Sequence, residues 1–563
     1  MTKLKKFNFA LVLLAVAIYG GYSLRLHELL LNRDLVLVGG DLSWNIFAIK
    51  IGMQGNLDGI SEILGWPYGY GLFAEPLLGT GPFYAAMLIS KILFIQNIFI
   101  VYVLTVISGM LTNTIAAYWM VSKEFVDKKY TYLFAFLIGI TPFVLMRLGH
   151  MPILWLFFVP LVLGIYFRLE RDQIGFKKAF LIVAFFGFWS PLFWLLVIIF
   201  LSLSLSVIYL ILYKFYSKQL KIWAIILSGS AVSFVLNYFL IFLNREYKGK
   251  TSRFPWQSNT FGGKFADILV SSPFVNSKTN LIEKLSEGLS PEGKNSFVGL
   301  VIGLSLLLTL IFAIANSPSK KLNLPIGFSG ILVILWLFFA TGGLGNLQAA
   351  LLVLLDQTTP LRAWFRMIIV IGILGLYLML KILEIAPFKN QLKYLISMFI
   401  LLISIIDGQH ISYIQYTEKS KVIEYSAVNF LEENTKNCGV LQVPVDTFPL
   451  IQDFTFSNGD KFGYNQTIPY LLSNNNKWSL YGIPGNKFWQ NYKEIPTEIT
   501  IEAANSYSNQ GFCAILFDQD FSQWQIDRQA GLDFTVGRWP GLRINLGSPD
   551  FDNGRYQIYL LNK

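Results

Sequence analysis

The chain is poor in the residues from which soluble active centres are usually built. Among 563 residues there are three histidines, His27, His150 and His410, and two cysteines, Cys438 and Cys513. So few histidines argue against a multi-histidine metal centre, and two cysteines 75 positions apart do not have zinc-motif spacing. Charge is scarce too, at 14% of residues. There is no Walker loop, no GxGxxG between strand and helix, no HExxH and no GxSxG, which excludes the common nucleotide-hydrolysing, dinucleotide, zincin and serine-hydrolase signatures. The sequence therefore implies no resident cofactor and no metal site.

What the chain has instead is apolar length. It is 54% hydrophobic with a mean hydropathy of +0.52, and its apolar residues come in separated blocks of roughly 17–25 residues, each able to cross ~30 Å of hydrocarbon as a helix. This is the composition of a polytopic α-helical membrane protein. The net charge of +11 does not imply nucleic acid, because the lysines and arginines cluster between apolar blocks as the positive-inside rule expects. Lys3, Lys5 and Lys6 put the N-terminus in the cytoplasm of a bacterial inner or plasma membrane, and the first apolar segment reads as a retained signal anchor.

Spans are expected at about 9–24, 97–120, 131–147, 153–168, two within 179–213 broken by "WSPLFW", then 222–243, 297–315, 325–341, 367–385 and 393–406, about eleven in all. This makes a transmembrane domain of residues 1–406, with a first external loop at 25–96 and a long external loop at 244–296. Within the first loop, Pro82 to Ile95 is too short to span and reads as an interfacial or re-entrant helix. Residues 407–563 are polar, Asn-rich and punctuated by turns, with β-rich runs "CGVLQVPV", "FCAILFD" and "RYQIYLL". They predict a soluble extracytoplasmic domain of α/β or α+β type. If the first two runs pair, Cys438 and Cys513 can form a disulfide in that compartment; two buried free thiols are the equal alternative.

The polar residues that could carry chemistry sit on external loops. In "VGGDLSWNIFAIK", Asp41 precedes an apolar-periodic run and reads as a helix N-cap, whose second oxygen can still face a cleft as a general base. Asp58, Glu62 and Glu75 on the same loop are candidates for a second acid. "TPLRAWFR" sets Arg362 and Arg366 at i and i+4, two guanidinium forks suited to a lipid phosphate or, blandly, to headgroups. Arg147 and His150 in "RLGHMP" are a further phosphate-binding candidate, beside the plainer reading of a solvated loop.

The order of these features resembles the GT-C superfamily of membrane glycosyltransferases: an Asp early in the first external loop, a "WPYG" turn, then an interfacial helix. More narrowly, "GHMPILWLFFVPL", "FADILVSSPF", "EGKNSFVGLVIGL" and "TPLRAWFRM" are similar, in that order, to segments of bacterial YfhO-like multi-pass proteins. The resemblance implies transfer of a sugar from a polyprenyl-phosphate-linked donor to a cell-surface polymer, glycolipid or protein in cell-envelope glycan biosynthesis. It also implies Asp41 as base, arginines of "LRAWFR" at the leaving phosphate and no required divalent metal. The chain departs from members with paired acids, since Leu42 follows Asp41. The rival reading is a non-enzymatic lipid-linked glycan transporter, or a membrane scaffold whose external domain binds a partner. A transporter would favour ionisable residues inside the spans, which are almost absent.

Overall fold

The computed structural model describes residues 2–37, 40–54, 60–61, 70–71, 80–146, 148–213, 217–243, 263, 299–314, 328–354, 364–409, 416–443, 454–455, 461–462, 467–479, 498–520 and 543–561. The described residues of the membrane part are mainly helical. In chain order it comprises α1 (Thr2–Ser23), α2 (Leu26–Leu31), α3 (Gly40–Gln54), α4 (Thr80–Leu93), α5 (Ile98–Val121), α6 (Lys128–Gly139), α7 (Pro142–Met146), α8 (Met151–Leu154), α9 (Phe158–Glu170), α10 (Phe176–Trp189), α11 (Leu192–Tyr213) and α12 (Lys218–Leu243). These are followed by α13 (Leu300–Ile314), α14 (Phe328–Phe339), α15 (Leu344–Leu354), α16 (Ile368–Ile385) and α17 (Asn390–Gln409).

Local chemistry explains several boundaries. Asn97 caps α5, its side-chain oxygen accepting the N–H groups of Phe99 at 2.9 Å and Ile100 at 3.2 Å. Asp127 caps α6 through the N–H of Lys129 at 3.0 Å. Pro191 forces Ser190 into extended backbone at ψ 142°, which separates α10 from α11 inside one apolar block, as "WSPLFW" predicts.

Among the described residues, seven helices or helix pairs are long and apolar enough to cross a membrane: Ile98–Val121, Lys128–Met146, Met151–Glu170, Leu192–Ile211, Lys218–Asn237, Ile368–Ile385 and Asn390–Asp407. The expectation of about eleven includes spans that lie partly outside the described residues, such as those at 297–315 and 325–341. Of the two helices expected within 179–213, α10 is 14 residues long. A short helix, α4, forms where Pro82 to Ile95 was expected to make one. The final span runs on to Gln409, three residues past the expected edge at 406.

The short basic loops do gather at one end. Arg171 Nη1 lies 2.7 Å from Glu124 Oε1, and Lys381 Nζ donates to the Glu124 carbonyl at 2.6 Å. Glu384 accepts the N–H groups of Val126 and Asp127 at 2.7 and 2.9 Å, while Lys218 pairs with Asp172 at 2.7 Å. Those loops were expected on one side because of their charge, and their mutual contacts agree.

At the other end sits a domain with a five-stranded mixed sheet. Its strands are β3 (Gly439–Val443), β4 (Lys477–Trp478), β5 (Phe512–Asp518), β6 (Phe551–Asp552) and β7 (Tyr556–Leu560), after β1 (Leu35–Val36) and β2 (Thr417–Glu418), which pair elsewhere. The order is β6-β7-β5-β3-β4. Here β5 is parallel to β3 and antiparallel to β7, with α18 (Ile423–Asn434), α19 (Ile468–Leu472) and α20 (Ile501–Asn509) in the connections. The fully buried runs of β3 and β5 show why both read as continuous apolar stretches. As neighbouring strands they bring Cys438 and Cys513 together, and the two form a disulfide with a Cα–Cα distance of 5.9 Å. A buried guanidinium, Arg555, holds Glu424 and Asp518 at 3.1 Å each, joining α18 to the sheet.

Candidate functional site

The segment 148–154, which follows the second long span and runs into the start of the third, is an organising element at the end away from the basic loops. Its backbone carbonyls and N–H groups are taken up one by one by buried side chains from three helices. Tyr102 Oη of α5 donates to the Leu148 carbonyl at 2.7 Å, and Asn113 Nδ2, also of α5, donates to that of Leu154 at 2.8 Å. Trp194 Nε1 of α11 donates to the Ile153 carbonyl at 2.9 Å. From α3, Asn45 Oδ1 accepts the Met151 N–H at 3.2 Å. His150 is half-buried in this segment, at the end of a 3-10 turn and immediately before α8.

Asp41 lies inside the first turn of α3, since the helix begins at Gly40. The expectation that Asp41 is the N-cap is corrected by one or two positions. Position 41 nonetheless stands where the helix dipole favours an ionised carboxylate. At about 3.6 residues per turn, positions 41 and 45 share one face, which Asn45 fixes towards segment 148–154.

Arg366 occupies a 3-10 turn, Trp364–Met367, ahead of α16. The expected i, i+4 pairing with Arg362 involves a residue outside the described ones. The Arg366 guanidinium carbon lies 5.5 Å from the centre of the Phe193 ring, and Phe193 packs edge-on to Trp194 at 4.8 Å. Trp194 in turn holds Ile153. Buried Trp364 anchors the turn against Phe338 and Phe200, at 4.9 and 5.8 Å between ring centres. These contacts link Arg366, through Phe193 and Trp194, to segment 148–154, which contains His150. Arg147, Arg362, Asp58, Glu62 and Glu75 lie outside the described residues. Among the described residues no three His, Cys, Asp or Glu side chains form a metal-ligand set.

The opposite face of α3 meets the C-terminal domain. Lys50 Nζ donates to the carbonyls of Tyr470 and Ser473 and lies 4.3 Å from the centre of the Tyr470 ring. Gln54 Nε2 donates to Tyr470 Oη at 2.9 Å, and Phe47 meets the same ring edge-on at 5.5 Å. Burial pulls the Lys50 ammonium down to about 7, with Glu432 opposing the fall and Lys419 adding to it. Beside α3 the junction continues as a two-stranded pair, Leu35 with Glu418 and Val36 with Thr417. The Lys419 N–H donates to the Asp34 carbonyl at 2.8 Å, and Tyr416 Oη donates to that of Leu24 at 2.6 Å.

Sequence reading missed Asn45, Lys50 and Tyr470. The signal for Asn45 was its i+4 spacing from Asp41; for Lys50 it was a lone cation inside "NIFAIKIG". Nothing local marks Tyr470.

No family model matches the chain, and no curated protein sequence matches it. Solved structures similar to it include that of arabinofuranosyltransferase AftD from Mycobacteria, with a TM-score of 0.48 and 11% identity over 91% of this chain and 35% of that one. The Archaeoglobus fulgidus oligosaccharyltransferase, crystallised with Zn and sulfate, is similar with a TM-score of 0.44 and 13% identity over 92% of this chain and 69% of that one. The chain thus spans about a third of the mycobacterial protein's length.

Proposed function

We propose that the chain is a GT-C-type membrane glycosyltransferase. It takes a sugar from a polyprenyl-phosphate-linked donor and passes it to a glycan, glycolipid or protein acceptor at the face away from the basic loops. With those loops in the cytoplasm of a bacterial plasma membrane, that face is external. The observation that carries the reading is the seating of α3: its Asp41-bearing first turn stands on segment 148–154, on the face set by the bond from the Met151 N–H to Asn45.

In this reading the Asp41 carboxylate accepts the proton of the acceptor hydroxyl as the oxygen attacks the anomeric carbon. The bond from that carbon to the lipid phosphate breaks, and the phosphate leaves with the bonding pair through an oxocarbenium-like transition state. Arg366, with Arg362, neutralises the departing phosphate, and His150 and Arg147 add to the same anion site. The guanidinium groups supply the positive charge at the leaving group, so the reaction as drawn requires no divalent cation. A second acid from Asp58, Glu62 or Glu75 would assist the base.

The transporter reading is disfavoured because the buried ionisable groups Arg168, Lys381 and Glu124 cluster at the basic end rather than along a transmembrane path. The deciding experiment compares envelope monosaccharides in cells with the native chain, cells lacking it and cells carrying Asp41→Asn at equal protein level. Loss of one sugar both on deletion and with Asp41→Asn supports the transferase. Full retention of that sugar by the variant removes Asp41 as the base.

A further inference from the structure

α3 is held on both sides. Positions 41 and 50 are nine residues apart, about two and a half turns, so they lie on opposite faces of the helix. The face carrying 41 and 45 meets the membrane domain through the Met151 N–H. The face carrying Phe47, Lys50 and Gln54 meets the C-terminal domain. Between them Ile46, Ile49 and Ile51 are buried, which resists rolling of the helix.

Lys50 is the one cation on this helix, and its acceptors come from the end of α19 and its C-cap, Tyr470 and Ser473. That helix end is itself a built socket. Glu432 of α18 accepts the Ser473 hydroxyl, the N–H groups of Asn474 and Asn475 at 3.0 and 3.2 Å and the Asn475 side-chain amide at 2.7 Å. The Ser473 carbonyl that receives Lys50 therefore cannot drift without breaking these bonds.

We propose that Lys50 is a positioning residue, which seats α3 on the Tyr470–Ser473 socket of the C-terminal domain and so fixes how Asp41 is presented to the acceptor hydroxyl. The inference rests on Asp41 being the base. A rigid helix passes a change of roll or axial position at residue 50 on to residue 41. A misplacement of about 1 Å at a reacting group costs as much as ~100-fold in rate.

The test uses the full chain, in cells and in detergent. Its first readout is the initial rate at which the envelope sugar lost on deletion reappears. Its second is hydrogen exchange of the amides of residues 40–54, with residues 98–121 as internal reference. Lys50→Met, at native protein level, is expected to lower the rate at least ~10-fold and to speed exchange of 40–54 by a similar factor while 98–121 stays unchanged. Lys50→Arg, which keeps a donor cation, restores the rate to within ~3-fold. Glu432→Gln, which loosens the socket without touching α3, changes both readouts in the same direction.

Faster exchange with an undiminished rate in Lys50→Met overturns the positioning role and leaves Lys50 a structural contact. Unchanged exchange overturns the clamp itself. Retention of the sugar by Asp41→Asn in the same assay overturns the base reading instead, so the two failures are told apart.

Discussion

Asn45 Oδ1 accepts the backbone N–H of Met151 at 3.2 Å, a bond between residues 106 positions apart that joins the first-loop helix to segment 148–154. Both partners are buried. Asn45→Ala leaves the Met151 N–H without this acceptor and is expected to cost ~1–3 kcal/mol. Thermal unfolding in detergent measures it, and transfer should fall alongside because position 41 lies one turn away on the same face. A variant with native stability and native transfer would show that the bond does not hold the site.

Trp155, which closes that segment, packs directly on Gly109 of α5. A Cβ built at Gly109 would stand 2.5 Å from Trp155 Nε1 and 2.7 Å from Cδ1. Gly109→Ala must therefore move the indole, with an expected loss of ~1–3 kcal/mol and faster hydrogen exchange through 148–155. Gly175→Ala is the control, because nothing lies within 4 Å of its Cβ position; it should fall within ~0.5 kcal/mol of the native chain.

The junction between α3 and the C-terminal domain has a pH dependence of definite sign. In the folded chain Lys50 is held at about 7, whereas its ordinary value is 10.5. Below about 7 the lysine is protonated folded or unfolded, and stability does not change on its account. Between about 7 and 10.5 the unfolded chain binds the proton that the folded chain has released, so stability rises with pH through that window. The facing charges are Glu432, which favours the ammonium, and Lys419, which disfavours it. Melting temperatures of the native chain and Lys50→Met, measured from pH 6.5 to 10, should diverge in slope; parallel curves would sink the assignment.

The disulfide closes a separation of 75 residues between adjacent parallel strands. In the chain-entropy account a loop of that length stabilises the domain by about 4 kcal/mol. Reduction, or Cys513→Ala, is expected to lower the denaturant midpoint of the C-terminal domain, followed by its tryptophan fluorescence, while the helical signal of the membrane part persists. Equal midpoints for oxidised and reduced protein would refute this.

Much of the helical part was legible in the sequence because its signal is local. Apolar blocks gave the long helices to within a few residues, the second starting at about Asn97, and "WSPLFW" marked the break inside a single block. α10 is shorter than the span expected there, because hydropathy alone does not show where a helix stops inside apolar sequence. The site was legible only in outline. Asp41, His150 and Arg366 were picked out by residue type on external loops, but the helix starts ahead of Asp41 and Arg366 sits in a 3-10 turn. A helix start shifted by a residue or two and a 3-10 turn in place of an α turn leave almost no trace in composition.

Composition and charge by themselves determined that this chain would form membrane-length helices with basic loops gathered at one end, and that two apolar runs near the C-terminus would be strands. Each follows from burial of apolar area and from the cost of placing charge in hydrocarbon, which act on a few consecutive residues at a time. Only the tertiary structure decided that α3 would be gripped from both faces, that Lys50 would find its acceptors 420 residues further on, and that Cys438 would meet Cys513. Those outcomes depend on which surfaces remain to be covered once the helices and the sheet have packed. No local periodicity encodes a contact between residues so far apart in the chain.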